Sequence, residues 1–230
     1  MPRYPRLFLP DLPLHVVQRG HDRQPVFVQS ADYRYYLDNL REAKDALSVQ
    51  VHAYCLMTNH VHLILTPRAE TENISGLMRL LAARQTRYVN KLESRTGTLW
   101  EGRFKGSLID RTSYLLACCR YVDLNPVRSA IVASPDEYRW SSYRSHVGIS
   151  DDQLLDPCSA YRELGNSDVE RAQAYRAFVA MDSGESELAT VRTALQRNQP
   201  TGSRRFCNEI EQRIGRRIST NGPGRPRVKK

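Results

Sequence analysis

The sequence lacks any apolar run long enough to cross a bilayer, which argues against a membrane protein. A spanning helix needs about 20 consecutive apolar residues, whereas the mean hydropathy of these 230 residues is −0.55. The opening residues, MPRYPRLFLPDLP, are interrupted by four prolines and an aspartate, so they lack the apolar core of a secretory signal. We therefore expect a cytoplasmic protein with no membrane partner.

Cysteine pairs at metal-binding or redox spacing are also missing. The five cysteines are an odd number, and none of them stands in a C-x-x-C motif. This pattern disfavours both a disulfide framework and a cysteine-rich zinc site. We expect Cys55, Cys118 and Cys119 to be small buried apolar residues.

Acidic residues are in the minority, and the shortage is uneven along the chain. The whole sequence has 34 basic and 25 acidic side chains, a net charge of +9. Residues 1–150 carry 20 basic and 14 acidic side chains, residues 151–201 carry 5 and 9, and residues 202–230 carry 9 and 2. This distribution favours a polyanion such as nucleic acid, contacted at two places. A solvated basic face followed by a disordered end has the same composition.

The hydrophobic periodicity predicts the order β-α-β-β-α-β-α. The strands are expected at residues 14–19, at 49–57 and 60–66 around a Thr58-Asn59 turn, and as a strand pair or bulged strand within 99–109. The helices are expected from Asp32, as the cap, to about 47, at 74–92, and from about Thr112 to Asn125, where Pro126 follows. This order is typical of an α+β, ferredoxin-like (split βαβ) fold, an antiparallel sheet with helices on one face.

The strand signal ends near residue 150, which suggests a change of organisation. Helical segments are predicted at 167–181, 185–197 and 203–217, and the last residues show no periodicity. We predict a main domain at 1–148, a helical extension at 149–218 and a flexible basic tail at 219–230.

Two histidines alternate with a valine in the second strand of the predicted hairpin. Side chains alternate between the faces of a strand, so His60 and His62 project on the same side. Two imidazoles at this spacing can hold one cation. Two ordinary surface or core histidines would have the same spacing.

A second candidate site lies near the end of the helix before Pro126. Tyr121 and Asn125 are four residues apart, so they share one helical face. The amide oxygen of Asn125 could join His60 and His62 as a third ligand, in a set that suits Mg²⁺ or Mn²⁺. The Tyr121 phenol would then lie beside the cation as a nucleophile. Alternatively, Tyr121 packs in the core and Asn125 caps the helix.

Three phrases of the sequence, AYCLMTNHVHLILTP, LWEGRFKGSLID and SYLLACCRYVDLNPVRSAIVASPDEYRWSSY, resemble the Y1 transposases of the IS200-like superfamily. The resemblance spans roughly residues 7–145 and is strongest to the REP-associated tyrosine transposases (RAYTs), a group of HUH endonucleases. It implies that residues 1–148 form a nuclease domain acting on single-stranded DNA hairpins.

The resemblance also assigns roles. It implies that His60 and His62 are the HUH pair, that Tyr121 is the catalytic tyrosine, and that Asn125 is the third ligand of Mg²⁺ or Mn²⁺. Other members of the superfamily use glutamine in place of asparagine. Tyr114 lies on the same helical stripe as Tyr121 but lacks an asparagine one turn ahead. The implied reaction forms a 5′-phosphotyrosine and a free 3′-OH, and a second 3′-OH can reverse it.

The basic end of the chain predicts a further DNA contact. The segment from Pro223 to Arg227 resembles an AT-hook, whose arginines enter narrow A·T-rich minor grooves. A disordered tail that contacts only phosphates is the alternative. The arginines expected to bind DNA are Arg204, Arg205, Arg216, Arg217, Arg225 and Arg227, with Arg213 on the same basic helix. A nucleoid-associated location would follow.

Several alternatives remain open from the sequence. Tyr138, Trp140 and Tyr143 could stack on unpaired bases, although their spacing suits core packing better. A domesticated, non-catalytic DNA-binding regulator would share the fold, but every site residue is present. An RNA-binding sheet of the RRM type would carry aromatic residues where HVHLILT has histidines. The chain could act as a monomer or as a homodimer.

Overall fold

A four-stranded antiparallel sheet lies at the centre of the computed structural model, which describes residues 7–68, 72–112, 114–181, 184–215 and 217–218. The strands are β1 (Leu14–Arg19), β2 (Val49–Met57), β3 (His60–Pro67) and β4 (Lys105–Leu108), in the order β2-β3-β1-β4. The helices are α1 (Ser30–Ala46), α2 (Glu72–Leu92), α3 (Leu115–Asp123), α4 (Asn125–Arg128), α5 (Tyr143–His146), α6 (Ser159–Arg162), α7 (Asp168–Ala180), α8 (Gly184–Arg197) and α9 (Arg204–Ile214).

The first half of the chain confirms the predicted α+β, ferredoxin-like fold. Strands and helices alternate as β1-α1-β2-β3-α2-β4, and β2 and β3 form a hairpin in which Met57 pairs with His60. On one face, Val61, Leu63 and Leu65 pack with apolar side chains of α1 and α2, as expected. The other face is covered as well, because α3 packs there against β2 and β3, and α8 contacts β4 and β1. The sheet is therefore buried on both sides.

The start of α1 differs from the prediction. Gln29, not Asp32, is the N-cap, and Asp32 lies in the first turn of the helix. Its carboxylate accepts hydrogen bonds from the backbone N–H groups of Val28 (2.7 Å) and Gln29 (2.8 Å). Asp32 still satisfies free donors at the helix start, but from the third position of a capping box.

The region from 99 to 109 forms less strand than predicted. Only Lys105–Leu108 pairs continuously, antiparallel to β1, while Trp100 makes an isolated bridge with Gly20. A segment this short adds an edge to the sheet next to β1 but forms no hairpin of its own.

The helix before Pro126 also ends differently. α3 ends at Asp123, and Asn125 begins the short helix α4, with Pro126 in its first turn. Proline is tolerated there because the first N–H groups of a helix have no intrahelical acceptor. The chain therefore continues helically past the point where we predicted a stop.

The residues after 148 pack against the sheet. The Lys44 ammonium donates to Asp156 and to the carbonyl of Leu154, both at 2.8 Å. The backbone N–H of Thr201 donates to the carbonyl of Leu108, which extends the β4 edge. Helices α7 and α8 match the predicted segments to within one residue, whereas α5 and α6 were not predicted. Helix α9 ends at Ile214, before the predicted end at 217, because Gly215 adopts a left-handed conformation there. The domain boundaries at 148 and 218 stay predictions.

The three cysteines considered in the sequence analysis are buried, as expected. Cys55, Cys118 and Cys119 are buried free thiols, and Cys158 is buried too. Within the described ranges, every helix is too short or too polar to traverse a bilayer.

Candidate active site

The two histidines of β3 lie on the same face of the sheet. Their ring centroids are 5.0 Å apart, and β3 is an inner strand flanked by β2 and β1. His62 is buried and His60 is half-buried, while the intervening Val61 points into the opposite core. The period of two therefore places this pair as predicted.

Helix α3 brings Tyr121 to the same histidines. Its ring centroid lies 5.9 Å from that of His62, with the planes inclined at 68°. The Tyr121 hydroxyl makes no hydrogen bond within the described residues and is not sealed from solvent. Tyr114 is different, because it is the N-cap residue at the other end of α3. The structure thus places the Tyr121 ring next to His62.

Asn125 lies beside Tyr121 along the backbone. Its side-chain Nδ2 donates to the carbonyls of Tyr121 (2.9 Å) and Val122 (3.3 Å), so the amide satisfies the end of α3. This is the capping arrangement considered above. The Oδ1 atom makes no hydrogen bond within the described part of the chain and is not sealed off. Its role as a third ligand stays a prediction.

A third histidine, which the sequence analysis missed, completes the cluster. His15 of β1 is fully buried, and its Nε2 lies 2.9 Å from Nδ1 of His62. Its ring centroid is 5.6 Å from that of Tyr121. Only the β1–β3 register, in which Val17 pairs with His62, reveals that His15 shares this face.

Burial and nearby arginines keep the three imidazoles neutral. Burial, and secondarily Arg128, lowers the pKa of His15 to about 3. Burial, and secondarily Arg19, lowers the pKa of His60 to about 4. The pKa of His62 falls well below its ordinary value, mainly through burial and then through the other two histidines and both arginines. Neutral imidazole is the form that binds metals.

The donor atoms of this cluster fit a divalent cation. Nδ1 of His60 donates to Oδ1 of Asn59 at 2.6 Å, which leaves the lone pair on Nε2. Nε2 of both His60 and His62 lacks a hydrogen-bond partner among the described residues, and neither atom is sealed from solvent. In that part of the chain, no three His, Cys, Asp or Glu side chains are grouped to hold a metal. A cation would therefore need a further ligand of another type, such as the Asn125 amide oxygen.

Arg128 is a second residue that the sequence did not identify. It ends α4, and its guanidinium carbon lies 4.4 Å from the centroid of the Tyr121 ring. Its Nη2 donates to the backbone carbonyl of Tyr121. Arg128 thus adds a positively charged guanidinium to the three neutral imidazoles and the phenol of the site.

Two of the predicted DNA-binding arginines, Arg204 and Arg205, lie on a different element, α9. Arg204, Arg205 and Arg213 are exposed on α9, and Arg205 pairs with Glu209 at 2.9 Å. Arg217 is exposed beyond the end of α9. Arg216, Arg225 and Arg227, with the segment that resembles an AT-hook, lie outside the described residues. DNA binding by these arginines stays a prediction.

The aromatic residues near 140 pack inside the protein. Tyr138 and Tyr143 are buried, and the Tyr138 hydroxyl donates to the carbonyl of Leu56 at 2.7 Å. Trp140 stacks on Tyr33 with centroids 4.6 Å apart and planes inclined at 11°. Packing, rather than a stacking platform for bases, explains these residues.

Solved structures of other proteins match this chain to different degrees. The structure of a REP-associated tyrosine transposase bound to a REP hairpin matches with a TM-score of 0.57 and 16% identity, covering 68% of this chain and 98% of the other. A candidate transposase from Deinococcus radiodurans R1 matches with a TM-score of 0.36 and 19% identity, covering 52% of this chain and 93% of the other. At this identity, the first match shows a common fold.

No curated protein matches this chain. The family described as "Transposase IS200 like" matches residues 9–125, a range that contains all four strands, the three histidines and Tyr121. The match covers half of the chain and confirms the resemblance seen in the sequence. The chain belongs to the IS200-like transposase family.

Proposed function

We propose that this transposase cleaves and rejoins single-stranded DNA at hairpins through a 5′-phosphotyrosine on Tyr121, with Mg²⁺ or Mn²⁺ as cofactor. The observation that carries the proposal is the Tyr121 ring, 5.9 Å from His62 and 5.6 Å from His15, with a hydroxyl that has no partner within the described residues. By contrast, Tyr175 uses its hydroxyl structurally, by donating to Asp123 at 2.8 Å.

The chemistry of these residues supports a transesterification. The Tyr121 oxygen attacks the phosphorus, a P–O bond to tyrosine forms and the bond to the 3′-oxygen breaks. The phenol proton leaves to solvent, and the departing 3′-oxygen takes up a proton. A 3′-OH of a second strand can reverse the attack, so the phosphoester energy is kept and no nucleotide hydrolysis is needed.

The cation would be held by His60 and His62 through Nε2 and by Asn125 through Oδ1. A bound divalent cation supplies neutralisation of the charge that grows on a non-bridging phosphate oxygen. His15 would hold the His62 ring in the orientation that binds the cation, through its hydrogen bond to Nδ1 of His62.

Hairpin DNA is proposed as the substrate for two reasons. The solved REP-associated tyrosine transposase that shares this fold is bound to a REP hairpin. The chain is also basic, with a net charge of +9, and exposes arginines on α9. A protein that acts on chromosomal DNA would work at the nucleoid. Both the monomer and the homodimer are compatible with this proposal.

The proposal is tested by trapping the adduct. Hairpins labelled at the 3′ end are incubated with the protein and Mn²⁺, and the products are separated under denaturing conditions. The 3′-labelled fragment should migrate with the protein, whereas a 5′-labelled fragment should be released. EDTA should abolish both products. Tyr121→Phe should bind hairpin DNA without forming the adduct, whereas Tyr114→Phe should still form it. An adduct with Tyr121→Phe would refute the assignment.

A second function is favoured by the Asn125 amide, which donates to helix carbonyls at 2.9 and 3.3 Å. If this amide serves only as a cap, the protein would bind hairpins as a non-catalytic regulator. Hairpin binding that is independent of Mn²⁺ and yields no adduct with any substrate would support this alternative.

A further inference from the structure

Arg128 is held against the ring of Tyr121. Its guanidinium carbon lies 4.4 Å from the ring centroid, and its Nη2 donates to the Tyr121 carbonyl. This is its single hydrogen bond in the part of the chain that the structure describes. A guanidinium has five N–H donors, so most of them are left for another acceptor.

Among the described residues, the positive charge of Arg128 has no counter-ion. Arg128 is half-buried, yet within the described ranges no carboxylate lies within ion-pair distance of it. Its neighbour Arg120 shows the contrast, because that buried guanidinium pairs with Glu187 at 2.6 Å. Buried charges in proteins are normally paired, since removing them from water is costly.

The surroundings increase this imbalance. Burial lowers the pKa of Arg128, and the charges of Arg192 and Arg120 act in the same direction, whereas Tyr121 and Cys55 act in the opposite one. Arg19 adds a second positive charge on the side of His60. The three imidazoles are neutral, so they contribute no negative charge that could balance Arg128 and Arg19. An anionic ligand would correct the imbalance.

The geometry selects the kind of anion. The guanidinium is planar and presents parallel N–H donors that match the oxygens of a phosphate. We propose that Arg128 is a phosphodiester-binding residue, which contacts a non-bridging oxygen of the DNA phosphate that lies against Tyr121. The identification of that phosphate as the scissile one rests on the function proposed above.

A purely structural role is the competing explanation. Arg128 could serve only to hold the Tyr121 ring through its contact with the ring face. In that case its removal would disturb Tyr121 but would not change how the protein responds to the charge of one particular phosphate.

The test removes charge from both partners. Binding is measured in a Tyr121→Phe background, with hairpins in which one phosphate at a time is an uncharged methylphosphonate. One position is expected to weaken binding at least tenfold when Arg128 is present and less than twofold in Arg128→Gln. The exposed Arg34 on α1, on the other face of the sheet, provides the control. Arg34→Gln should keep the full tenfold effect.

The kinetic arm uses the intact tyrosine. Arg128→Gln should slow adduct formation by about 100-fold at saturating DNA, as expected for loss of a donor to a reacting phosphate. Arg128→Lys keeps the charge without the planar fork, so it should slow the reaction less. Thermal melting of both variants checks that they fold.

The outcomes separate the two proposals. If no methylphosphonate position depends on Arg128, the inference is overturned, whether or not the protein cleaves DNA. Equal rate losses in the lysine and glutamine variants would also overturn it. If the unmodified protein never forms an adduct but the dependence on Arg128 is found, the proposed function fails and the phosphodiester contact stands.

Discussion

His15 and His62 are joined side chain to side chain across two neighbouring strands, with Nε2 of His15 2.9 Å from Nδ1 of His62. One hydrogen links the two nitrogens, so its position fixes the tautomers of both rings. When Nδ1 of His62 donates, its Nε2 keeps the lone pair that a cation requires. The proton of His15 then lies on Nδ1, which is buried and has no hydrogen-bond partner among the described residues.

The first prediction concerns this hydrogen bond. His15→Phe removes the acceptor, so His62 is no longer held in the tautomer that binds a cation. We expect the affinity for Mn²⁺ to fall by about 10- to 100-fold, the usual effect of losing a ligand's supporting partner. Titration followed by electron paramagnetic resonance measures free Mn²⁺ without requiring activity.

His15→Gln is the matched control. A glutamine oxygen can occupy the place of Nε2 and accept the same hydrogen bond, so Mn²⁺ affinity should recover most of the loss. Equal affinities for the original protein and the phenylalanine variant would contradict the assigned role.

The second prediction is loss of stability in acid. The folded pKa of His15 is about 3, below the ordinary value of 6.5, so the unfolded chain binds the extra proton. Its contribution to stability is complete above pH 6.5 and is lost as the pH falls toward 3. Between pH 7 and pH 5 this amounts to about 2 kcal/mol. Urea unfolding should show that the free energy of unfolding falls less between pH 7 and pH 5 in His15→Phe than in the original protein, by this amount. Identical decreases in both proteins would contradict the prediction.

The third prediction has the opposite sign and concerns His146. Its Nδ1 lies 2.9 Å from Asp123 and its Nε2 3.0 Å from the carbonyl of His52, so both nitrogens donate to acceptors. Burial opposes the charge, but Asp123 and this carbonyl outweigh it and raise the pKa of His146. The stabilisation is therefore complete below pH 6.5 and is lost as the pH rises through the raised value.

His146→Gln should remove this dependence. Between pH 6 and pH 9, the free energy of unfolding should fall more in the original protein than in the variant. The difference is up to about 1.4 kcal/mol for each pH unit in which His146 is protonated in the folded but not in the unfolded state. Urea unfolding at three pH values checks this. Parallel pH profiles would show that His146 is neutral in the folded protein.

Local sequence signals predicted most of the sheet. Alternating apolar residues and the two-residue turn at Thr58-Asn59 placed β2 and β3 correctly, and the same alternation put His60 and His62 on one face. The errors occurred where local signals compete. Asp32 suits both the N-cap and the third position of a helix, and Pro126 is compatible with either the end of one helix or the start of another.

Two further contacts of the site were not predicted from the sequence. His15 reaches His62 only because β1 pairs with β3 rather than with β2. Arg128 reaches the Tyr121 ring only because α4 follows α3 after a break of one residue. The His15–His62 contact joins residues 47 apart, so no local periodicity encodes it. Arg128 is only seven residues from Tyr121, but the break at Leu124 lies between them. The spacing of Tyr121 and Asn125 left the approach of Tyr121 to the histidines as one of two alternatives, and the family resemblance favoured it.

The fourth prediction concerns the basic surface of α9. This helix is anchored by Phe206 and Ile210, which are buried, while Arg204 and Arg213 are exposed and have no ion pair within the described residues. If both arginines contact DNA phosphates, replacing them with glutamine should weaken duplex binding. Each lost contact should reduce the slope of log affinity against log salt by about 0.9.

The matched control for α9 removes the same charge elsewhere. Arg34 on α1 and Arg79 on α2 are exposed, and glutamine at both positions gives the same net charge as the α9 variant. The control should keep the salt slope, because the slope counts phosphate contacts and we expect Arg34 and Arg79 to make none. Their long-range attraction to DNA is screened by salt. Both variants should form the adduct at an unchanged rate when DNA is saturating, since neither touches the histidines or Tyr121. Equal losses of slope in the two variants would mean that α9 contributes only net charge, and the DNA contact would then have to lie elsewhere on the chain.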